Sequence, residues 1–365
     1  MADTTVSIVA LLREARGWNQ TELAREAHMS QAVVSRLETH SLELTDDRVD
    51  ALAAALQCPP DLLRADPSVT GLSISCLHHR RRSSTMTVRT MRRVEAVTHL
   101  TRLSLEGLLT GLDPQPQRSL QRDPIALDGD ARAVAQRLRE RWGLGDGPLP
   151  NLVGVVESAG IIVVRRPLST PGQDAVSTWP EDRSRFPMML VSDGLPADRQ
   201  RFTIAHELGH LLMHDAPGPE QEAQANTFAS ELLAPADTVR SDLEGLRTGD
   251  FRRLLLLKEK WGMSISALIR RAFDLELITD RQYREFNMRL GQLGWRKSEP
   301  GDVAAENPTT VTQILNIHQH VRHLSIADIA DLAGMTEPAF RRHYLGENPQ
   351  PEALVPLTMG APLHD

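Results

Sequence analysis

Apolar residues recur at the spacing of an α-helix through the first 64 residues of the chain. Polar residues separate these runs, so the pattern predicts short helices joined by tight turns. Asp46 or Asp47 can cap the last of the longer helices, and Pro59-Pro60 ends it. The predicted buried faces are Ile8, Leu11 and Leu12, then Leu23, Ala24 and Ala27, then Val33, Val34 and Leu37, and last Val49, Leu52, Ala55 and Leu56.

A second patterned region begins near Asp130, which can cap a helix through Trp142. Short apolar runs at 161–165 and 186–192 predict strands, because they are too short for buried helices. Helical patterns follow at 152–158, 198–214 and 220–233, and continue to about residue 293. The sequence therefore predicts a mainly α protein with a small β-sheet, of the α+β class.

These patterns divide the chain into four parts. We expect a first domain at 1–66, a connector with some helix at 67–129, a second domain at 130–300, and a C-terminal helical unit with a tail at 301–365. The connector holds a possible strand at Leu72–Leu77. Its basic run Arg80–Arg82 either helps to hold DNA or forms a solvated edge. Cys76, His78 and His79 would alternate along that strand, which disfavours a second metal site there.

Composition and charge narrow the class of protein. The 365 residues carry a formal net charge of −7, and residues 1–65 hold ten acidic side chains against six basic ones. Phosphate neutralisation supplies most nonspecific affinity for DNA, so the chain is not a nucleic-acid coat. Cys58 and Cys76 are too few for a disulfide framework, and no secretory signal or membrane span is visible. We expect a cytoplasmic protein that does not bind membranes.

One run of five residues carries a metal-site pattern, His206-Glu-Leu-Gly-His210. Residues four apart lie on one face of a helix, so both imidazoles can reach one zinc ion. Glu207 can then reach the side of the metal where a water would lie. The alternative is a surface helix with two histidines, since so short a pattern also arises by chance.

A second helix supports the metal site. Glu222 follows His210 by twelve positions, after a turn that can reverse the chain, and it can complete a His₂Glu ligand set with an open fourth position. Asn226 lies one helical turn beyond Glu222. There it can accept a hydrogen bond from a ligand imidazole and fix the tautomer of that ring.

These segments resemble a known family. The run Arg199–His214 and the run Glu222–Pro235 are similar to ImmA/IrrE metallopeptidases, and Lys258–Ile269 and Gly294–Pro300 resemble the downstream helices of that family. The resemblance implies a zincin-like domain that binds Zn²⁺ through His206, His210 and Glu222. It also implies peptide hydrolysis with Glu207 as the general base.

Three further residues or segments near this motif leave alternatives open. Glu220 is a rival third ligand, but it lies in the turn and fits the pattern less well. His214, one turn beyond His210, is a candidate oxyanion stabiliser or simply a polar residue at the end of the helix. The strand around Met188–Val191 either lies along the cleft and pairs with an extended substrate, or is an ordinary strand of the sheet.

The first domain has its own motif. Residues 20–38 predict two helices around a tight turn, with Ser30 capping the second helix. The segment 6–64 resembles the Xre-type helix-turn-helix family, and departs from it at His28 and His40, where glycine is common. The second helix would enter the major groove of operator DNA. Its outer face carries Gln31, Ala32, Ser35 and Arg36, while Gln20 could hold a phosphate.

Together these features predict a DNA-binding zinc endopeptidase in transcriptional regulation. The ImmA/IrrE resemblance implies a protein substrate, for which we expect a repressor, and a helix-turn-helix commonly works as a homodimer. The main alternative is a non-proteolytic regulator or antitoxin whose zinc domain senses a ligand or partner. For the first domain, a helical protein-interaction module is the alternative. Ser325–Tyr344 has the outline of another helix-turn-helix, but we expect a plain helical cap.

Overall fold

The computed structural model describes residues 7–65, 87–125, 130–168, 174–179, 185–215, 218–296 and 298–347. It confirms the predicted class, because helices and one small sheet make up the described regular structure. The possible strand at 72–77, the residues Cys76, His78 and His79, and the run Arg80–Arg82 lie outside the described residues.

Five helices form the N-terminal domain and confirm the predicted pattern. Side chains cap three of them, since Ser7, Asn19 and Ser30 each accept a hydrogen bond from a backbone N–H in the first turn of the helix that follows. The predicted apolar faces meet in one core, in which Val34 and Leu52 are fully buried. The helices are α1 Ile8–Ala15, α2 Gln20–Glu26, α3 Gln31–Glu38, α4 Asp46–Leu56 and α5 Pro60–Leu63.

A helix of 21 residues, α6 (Val88–Leu108), lies inside the segment predicted as a connector. One of its faces packs on α1: Ala96 belongs to the N-terminal core, and Arg93 Nε donates to the carbonyl of Ala15 over 3.2 Å. Another face belongs to a different core, through Met91, Leu105 and Leu108. The segment is therefore more than a connector, because α6 contributes to two hydrophobic cores.

Within the part of the chain that the structure describes, the sheet has three strands: β1 (Ile162–Arg166), β2 (Ala175–Thr178) and β3 (Met188–Ser192). Their order is β1-β3-β2, with β3 parallel to β1 and antiparallel to β2. Strand β3 is therefore central. Of the two roles left open for it, the ordinary strand of the sheet fits and pairing with an extended substrate does not, because both of its edges already carry a strand. The third strand, β2, was not predicted.

The two faces of the sheet pack on different helices. Val163, Met189 and Val191 point into the core that contains the metal-site helices. Their neighbours in the chain, such as Val164 and Leu190, point into the core formed with α6 and the C-terminal helices. This alternation follows from the two-residue period of a strand, and it places the sheet between two helical layers.

Among the described residues, eight helices form the larger part of the second domain, and the bounds of the first four agree closely with the prediction. The third and fourth of these helices pack closely together at Gly209, where an added Cβ would lie 2.9 Å from the ring of Phe228. The helices are α7 Ala131–Trp142, α8 Leu152–Ser158, α9 Ala197–Met213, α10 Pro219–Leu233, α11 Ala236–Leu243, α12 Phe251–Trp261, α13 Ile265–Asp274 and α14 Asp280–Gln292.

The C-terminal residues pack on the rest of the molecule. Glu306 is buried, pairs with Arg201 of α9, and accepts a hydrogen bond from the amide of Val153 over 2.9 Å. Ile329 and Phe340 enter the core under the sheet. The elements are α15 Thr310–Asn316, a π-helical turn at Ile317–Val321, α16 Ile326–Leu332 and α17 Glu337–Tyr344. The three boundaries between the four predicted parts stay predictions, and these shared cores show how closely the parts are joined.

Helices α16 and α17 do have the outline of a helix-turn-helix. They have 7 and 8 residues, as α2 and α3 do, and Gly334 takes the left-handed conformation that His28 takes in the first motif. However, Arg341 on α17 pairs with Glu337 and Glu347. This local neutralisation favours the helical cap over a second DNA reader.

Within the described residues, no helix is both long and apolar enough to cross a membrane.

Candidate metal centre and DNA-binding face

Two packed helices bring the predicted ligands together. His206 and His210 lie on one face of α9, and Glu222 lies in the first turn of α10. The Nε2 atoms of the two histidines are 3.1 Å apart. The carboxylate of Glu222 lies 3.6 Å from Nε2 of His206 and 3.4 Å from Nε2 of His210. One ligand atom from each residue thus lies within 4.8 Å of the other two.

The electrostatics of this cluster fit a cation. Burial opposes ionisation of Glu222, but contacts with His206 and His210 hold the pKa of its carboxyl far below the ordinary value. Burial also opposes protonation of His206, yet contacts with Glu222 and Glu207 raise the pKa of its imidazole. Oε1 of Glu222 is buried without a hydrogen bond in the described part of the chain. A divalent cation between the three residues would supply the missing partner.

Asn226 lies where the sequence predicted it, beside a ligand. Its Oδ1 is 3.1 Å from Nδ1 of His206. An amide oxygen accepts only, so it selects the tautomer of His206 with the proton on Nδ1. Nε2 of His206 then keeps its lone pair for a metal.

Two residues with open roles lie near the predicted ligands: His214 lies beside His210, and Glu220 lies further away, beside Gln224. Both ring nitrogens of His214 have partners, Nδ1 of His210 at 2.9 Å and Oε1 of Gln224 at 3.0 Å. Burial and the neighbouring His210 lower the pKa of His214 to about 4. This position, against the Nδ1 side of His210, does not favour an oxyanion role. Glu220 accepts a hydrogen bond from Gln224 and is absent from the group of three possible ligands.

Glu207 is buried next to His206, and a residue that the sequence did not reveal holds it. Ser177 on β2 donates its hydroxyl proton to Oε2 of Glu207 over 2.6 Å. Ser177 points from the same face of the sheet as Ala175, toward α9. A strand of four residues gives too short an alternation to stand out in a sequence, so β2 and Ser177 were missed.

The next residue of β2 is held from the opposite side. Arg102 of α6 is fully buried and donates to the carbonyl of Thr178 over 3.1 Å, and also to the carbonyl of Phe186 over 3.1 Å. Its guanidinium also lies over the ring of Phe186. Burial lowers the pKa of Arg102 to about 10. The helix that packs on the N-terminal domain therefore also supports the strand that holds Glu207.

The predicted DNA-reading residues lie on one side of the N-terminal domain. Gln31, Ala32 and Arg36 are exposed on α3, and Ser35 is half-buried. Gln20 accepts a hydrogen bond from Gln31 over 2.7 Å and donates one to Glu38 over 2.9 Å, so its amide already has two partners within the domain. The four predicted residues of α3 thus lie on one helix, and Gln20 is hydrogen-bonded to one of them, Gln31.

Comparison with known proteins agrees with both motifs. Residues 156–273 match the peptidase family described as the IrrE N-terminal-like domain, and residues 9–63 match the helix-turn-helix family. The first match contains His206, Glu207, His210 and Glu222, and the second covers α2 to α5 and all of α1 except its first residue. None of the curated proteins matches the chain.

Proposed function

The chain carries a helix-turn-helix domain and an IrrE N-terminal-like peptidase domain, and from this premise we propose that it is a DNA-binding zinc endopeptidase in transcriptional regulation. Its substrate is a protein, and a repressor is the class that fits best, because a DNA-binding head holds the peptidase near DNA-bound proteins. A pair of such heads would suit a homodimer on a two-fold operator.

One observation carries the enzymatic half of the proposal: the ligand atoms of His206, His210 and Glu222 lie within 4.8 Å of one another. Two imidazoles and one carboxylate are a donor set that suits Zn²⁺, and they leave the fourth tetrahedral position open. When bound, the ion would supply Lewis acidity and lower the pKa of a coordinated water.

Glu207 has the position of a proton carrier. It follows His206 in α9, is buried, and has its Oε2 held by Ser177. In peptide hydrolysis its carboxylate takes a proton from the attacking water and later delivers that proton to the leaving amine. Ser177 limits the rotation of this carboxylate, and such positioning lowers the barrier of a reaction whose groups must be aligned.

The regulatory half of the proposal depends on the exposed face of α3. Arg36 and Gln31 are the exposed side chains there that can read base edges in the major groove. The acidic balance of this domain implies that phosphate contacts contribute little, so base contacts would have to supply more of the affinity.

The experiment that tests the proposal compares the wild type with Glu207→Gln in the native host, by terminal-peptide proteomics together with zinc analysis. We expect a cleavage in a repressor-like protein that disappears in the variant while zinc stays bound. Glu259→Gln, the same change at an exposed glutamate of α12, is the matched control and should keep the cleavage. Identical peptide termini in all three strains, with operator binding unchanged, would instead support a non-proteolytic regulator.

A further inference from the structure

A line of hydrogen bonds leads from the ligand His210 to the surface of α10. Nδ1 of His210 lies 2.9 Å from Nδ1 of His214. Nε2 of His214 lies 3.0 Å from Oε1 of Gln224, and Nε2 of Gln224 donates to Oε1 of Glu220 over 3.3 Å. The line begins at Nδ1 of His210, whereas the other ring nitrogen of His210, Nε2, faces Glu222.

The chemistry of these groups fixes the direction of every proton along the line. The carboxylate of Glu220 accepts only, so Gln224 turns its NH₂ toward Glu220 and its carbonyl oxygen toward His214. The reversed amide would set two acceptors, its own oxygen and that carboxylate, against each other. A carbonyl oxygen also only accepts, and the proton of His214 must therefore be on Nε2.

The tautomer of His210 follows from that of His214. With its proton on Nε2, neutral His214 presents the lone pair of Nδ1 and can only accept there. The contact between the two Nδ1 atoms therefore requires His210 to carry its proton on Nδ1. Its Nε2 is left with a free lone pair, 3.4 Å from Oε1 of Glu222 and 3.1 Å from Nε2 of His206.

We propose that His214 is a positioning residue that, through Gln224, holds His210 in the tautomer whose Nε2 can bind the metal. This role replaces the oxyanion role considered from the sequence, and it rests on the proposed metal site. Both histidine ligands are then oriented from α10, which also carries the third ligand: His206 directly by Asn226, and His210 through His214 by Gln224.

The first test reads the tautomers in the metal-free protein, by two-bond ¹⁵N–¹H correlation of the histidine rings above their titration range. We expect His210 to be protonated on Nδ1 and His214 on Nε2. Gln224→Leu removes the acceptor, and His214→Ala removes the intermediate ring. In both variants we expect His210 to shift toward the Nε2-protonated form that free imidazole side chains favour.

The second test measures zinc affinity by competition with a chelator. Loss of an orienting partner weakens metal binding by about 10- to 100-fold, which is the effect we expect for Gln224→Leu and His214→Ala. Gln224→Glu keeps an acceptor for His214 and should keep the tautomers. Gln221→Leu makes the same substitution as the first variant, in the same helix, and should change neither the tautomers nor the affinity.

Either of two results would overturn the proposal. One is a wild-type His210 protonated on Nε2. The other is a Gln224→Leu variant in which the tautomer of His210 is unchanged and the zinc affinity stays within about twofold of the wild type. Gln224→Leu leaves both imidazole rings in place, so it still tests the proposal if His214→Ala misfolds. The tautomers are read without metal or substrate, so the proposal for His214 can hold even if the chain cleaves no protein. Failure of this proposal can therefore be distinguished from failure of the proposed peptidase function.

Discussion

Ser177 donates its hydroxyl proton to Oε2 of Glu207 over 2.6 Å, although the two residues lie on different elements, β2 and α9. The contact fixes one oxygen of the proposed general base to the sheet. It also links that base to α6, because Arg102 donates to the carbonyl of Thr178, the residue after Ser177. The placement of Glu207 thus depends on residues outside its own helix.

Removal of this hydroxyl should slow catalysis without loss of the metal. We expect Ser177→Ala to lower kcat by about tenfold, the effect of one hydrogen bond to a charged group worth about 1.5 kcal/mol. Zinc content should stay at the wild-type level, since Ser177 is not one of the three residues that could hold the metal. Ser241→Ala, on the exposed face of α11, is the control. A variant with unchanged kcat would show that Glu207 needs no support from β2.

The close contact between α9 and α10 at Gly209 should be sensitive to a single methyl group. An added Cβ would lie 2.9 Å from Cδ1 of Phe228 and 3.4 Å from Cα of Ala225, both fully buried. We expect Gly209→Ala to reduce the free energy of unfolding by about 1–3 kcal/mol. It should also weaken zinc binding, because the helices that carry the ligands must move apart.

A second glycine in a helix provides the control for this prediction. Gly291 lies near the end of α14, is exposed, and an added Cβ there meets only ordinary contacts with Arg296. Gly291→Ala should be neutral or stabilise by up to about 1 kcal/mol, since alanine favours helix. Urea unfolding and chelator competition measure both variants. Equal stabilities would mean that α9 and α10 are not closely packed at Gly209.

A buried ion pair next to the metal-site helices should be essential for stability. Arg271 and Glu231 are about 1% exposed, and Arg271 also donates to the carbonyl of Ala234 over 2.9 Å. Arg271→Met would leave the carboxylate of Glu231 buried without its cation, and we expect a loss of about 3–5 kcal/mol. The preceding residue, Arg270, forms an exposed pair with Asp274, so Arg270→Met should cost less than about 1 kcal/mol.

The comparison of these neighbours is made by denaturant unfolding of the two variants under one set of conditions. Their positions in α13 differ by one residue, so helix propensity contributes equally to both. Similar losses of stability in the two variants would show that the pair of Arg271 and Glu231 matters no more for stability than the exposed pair of Arg270 and Asp274.

His99 on α6 should make the stability of the protein depend on pH. Burial, together with the nearby Arg102, lowers the pKa of His99 from 6.5 to about 4. The unfolded chain therefore binds this proton more readily than the folded one, and the stabilisation is complete above pH 6.5 and is lost as the pH falls from 6.5 to 4. Between about pH 7 and pH 5 the loss from this group is about 2 kcal/mol.

The variant His99→Gln isolates this contribution. Other groups titrate over the same range, but they cancel when the free energy of unfolding of the variant is compared with that of the wild type at each pH. As the pH falls from about 7 to about 5, we expect the wild type to lose about 2 kcal/mol more of its free energy of unfolding than the variant loses. A constant difference would show that His99 keeps its ordinary pKa in the fold.

The sequence was informative where one pattern spans many residues. The long helix α9 follows from helical spacing, which also puts the predicted ligands His206 and His210 on one face, and the family resemblance adds Glu222 on α10 as the third predicted ligand. Contacts between distant segments could not be predicted in this way. Ser177 reaches Glu207 because a four-residue strand joins the edge of the sheet, and Gln224 reaches His214 because α10 packs against the end of α9.

The turns of the first domain show a similar division. His28 and His40 depart from the glycine that is common in such motifs, yet both adopt the left-handed conformation, with φ of 53° and 54°. The motif is thus kept although the local residues are unfavourable, because the buried faces of α2, α3 and α4 determine the turns between these helices. Tertiary packing outweighs local preference here, and a sequence pattern alone does not reveal that balance.

The exposed face of α3 leads to the last prediction, which concerns DNA. In a selection from random duplex DNA with the zinc-loaded full chain, we expect the wild type to enrich one motif. Arg36→Ala should relax the base preference at one position of that motif. The expected loss of discrimination there is about 1–3 kcal/mol, the contribution of one bidentate base contact. Arg25→Ala is the matched control, because Arg25 is exposed on α2 and pairs with Glu26. If the wild type enriches no motif, the N-terminal domain does not read DNA sequence, and a protein-interaction module becomes the better interpretation of its fold.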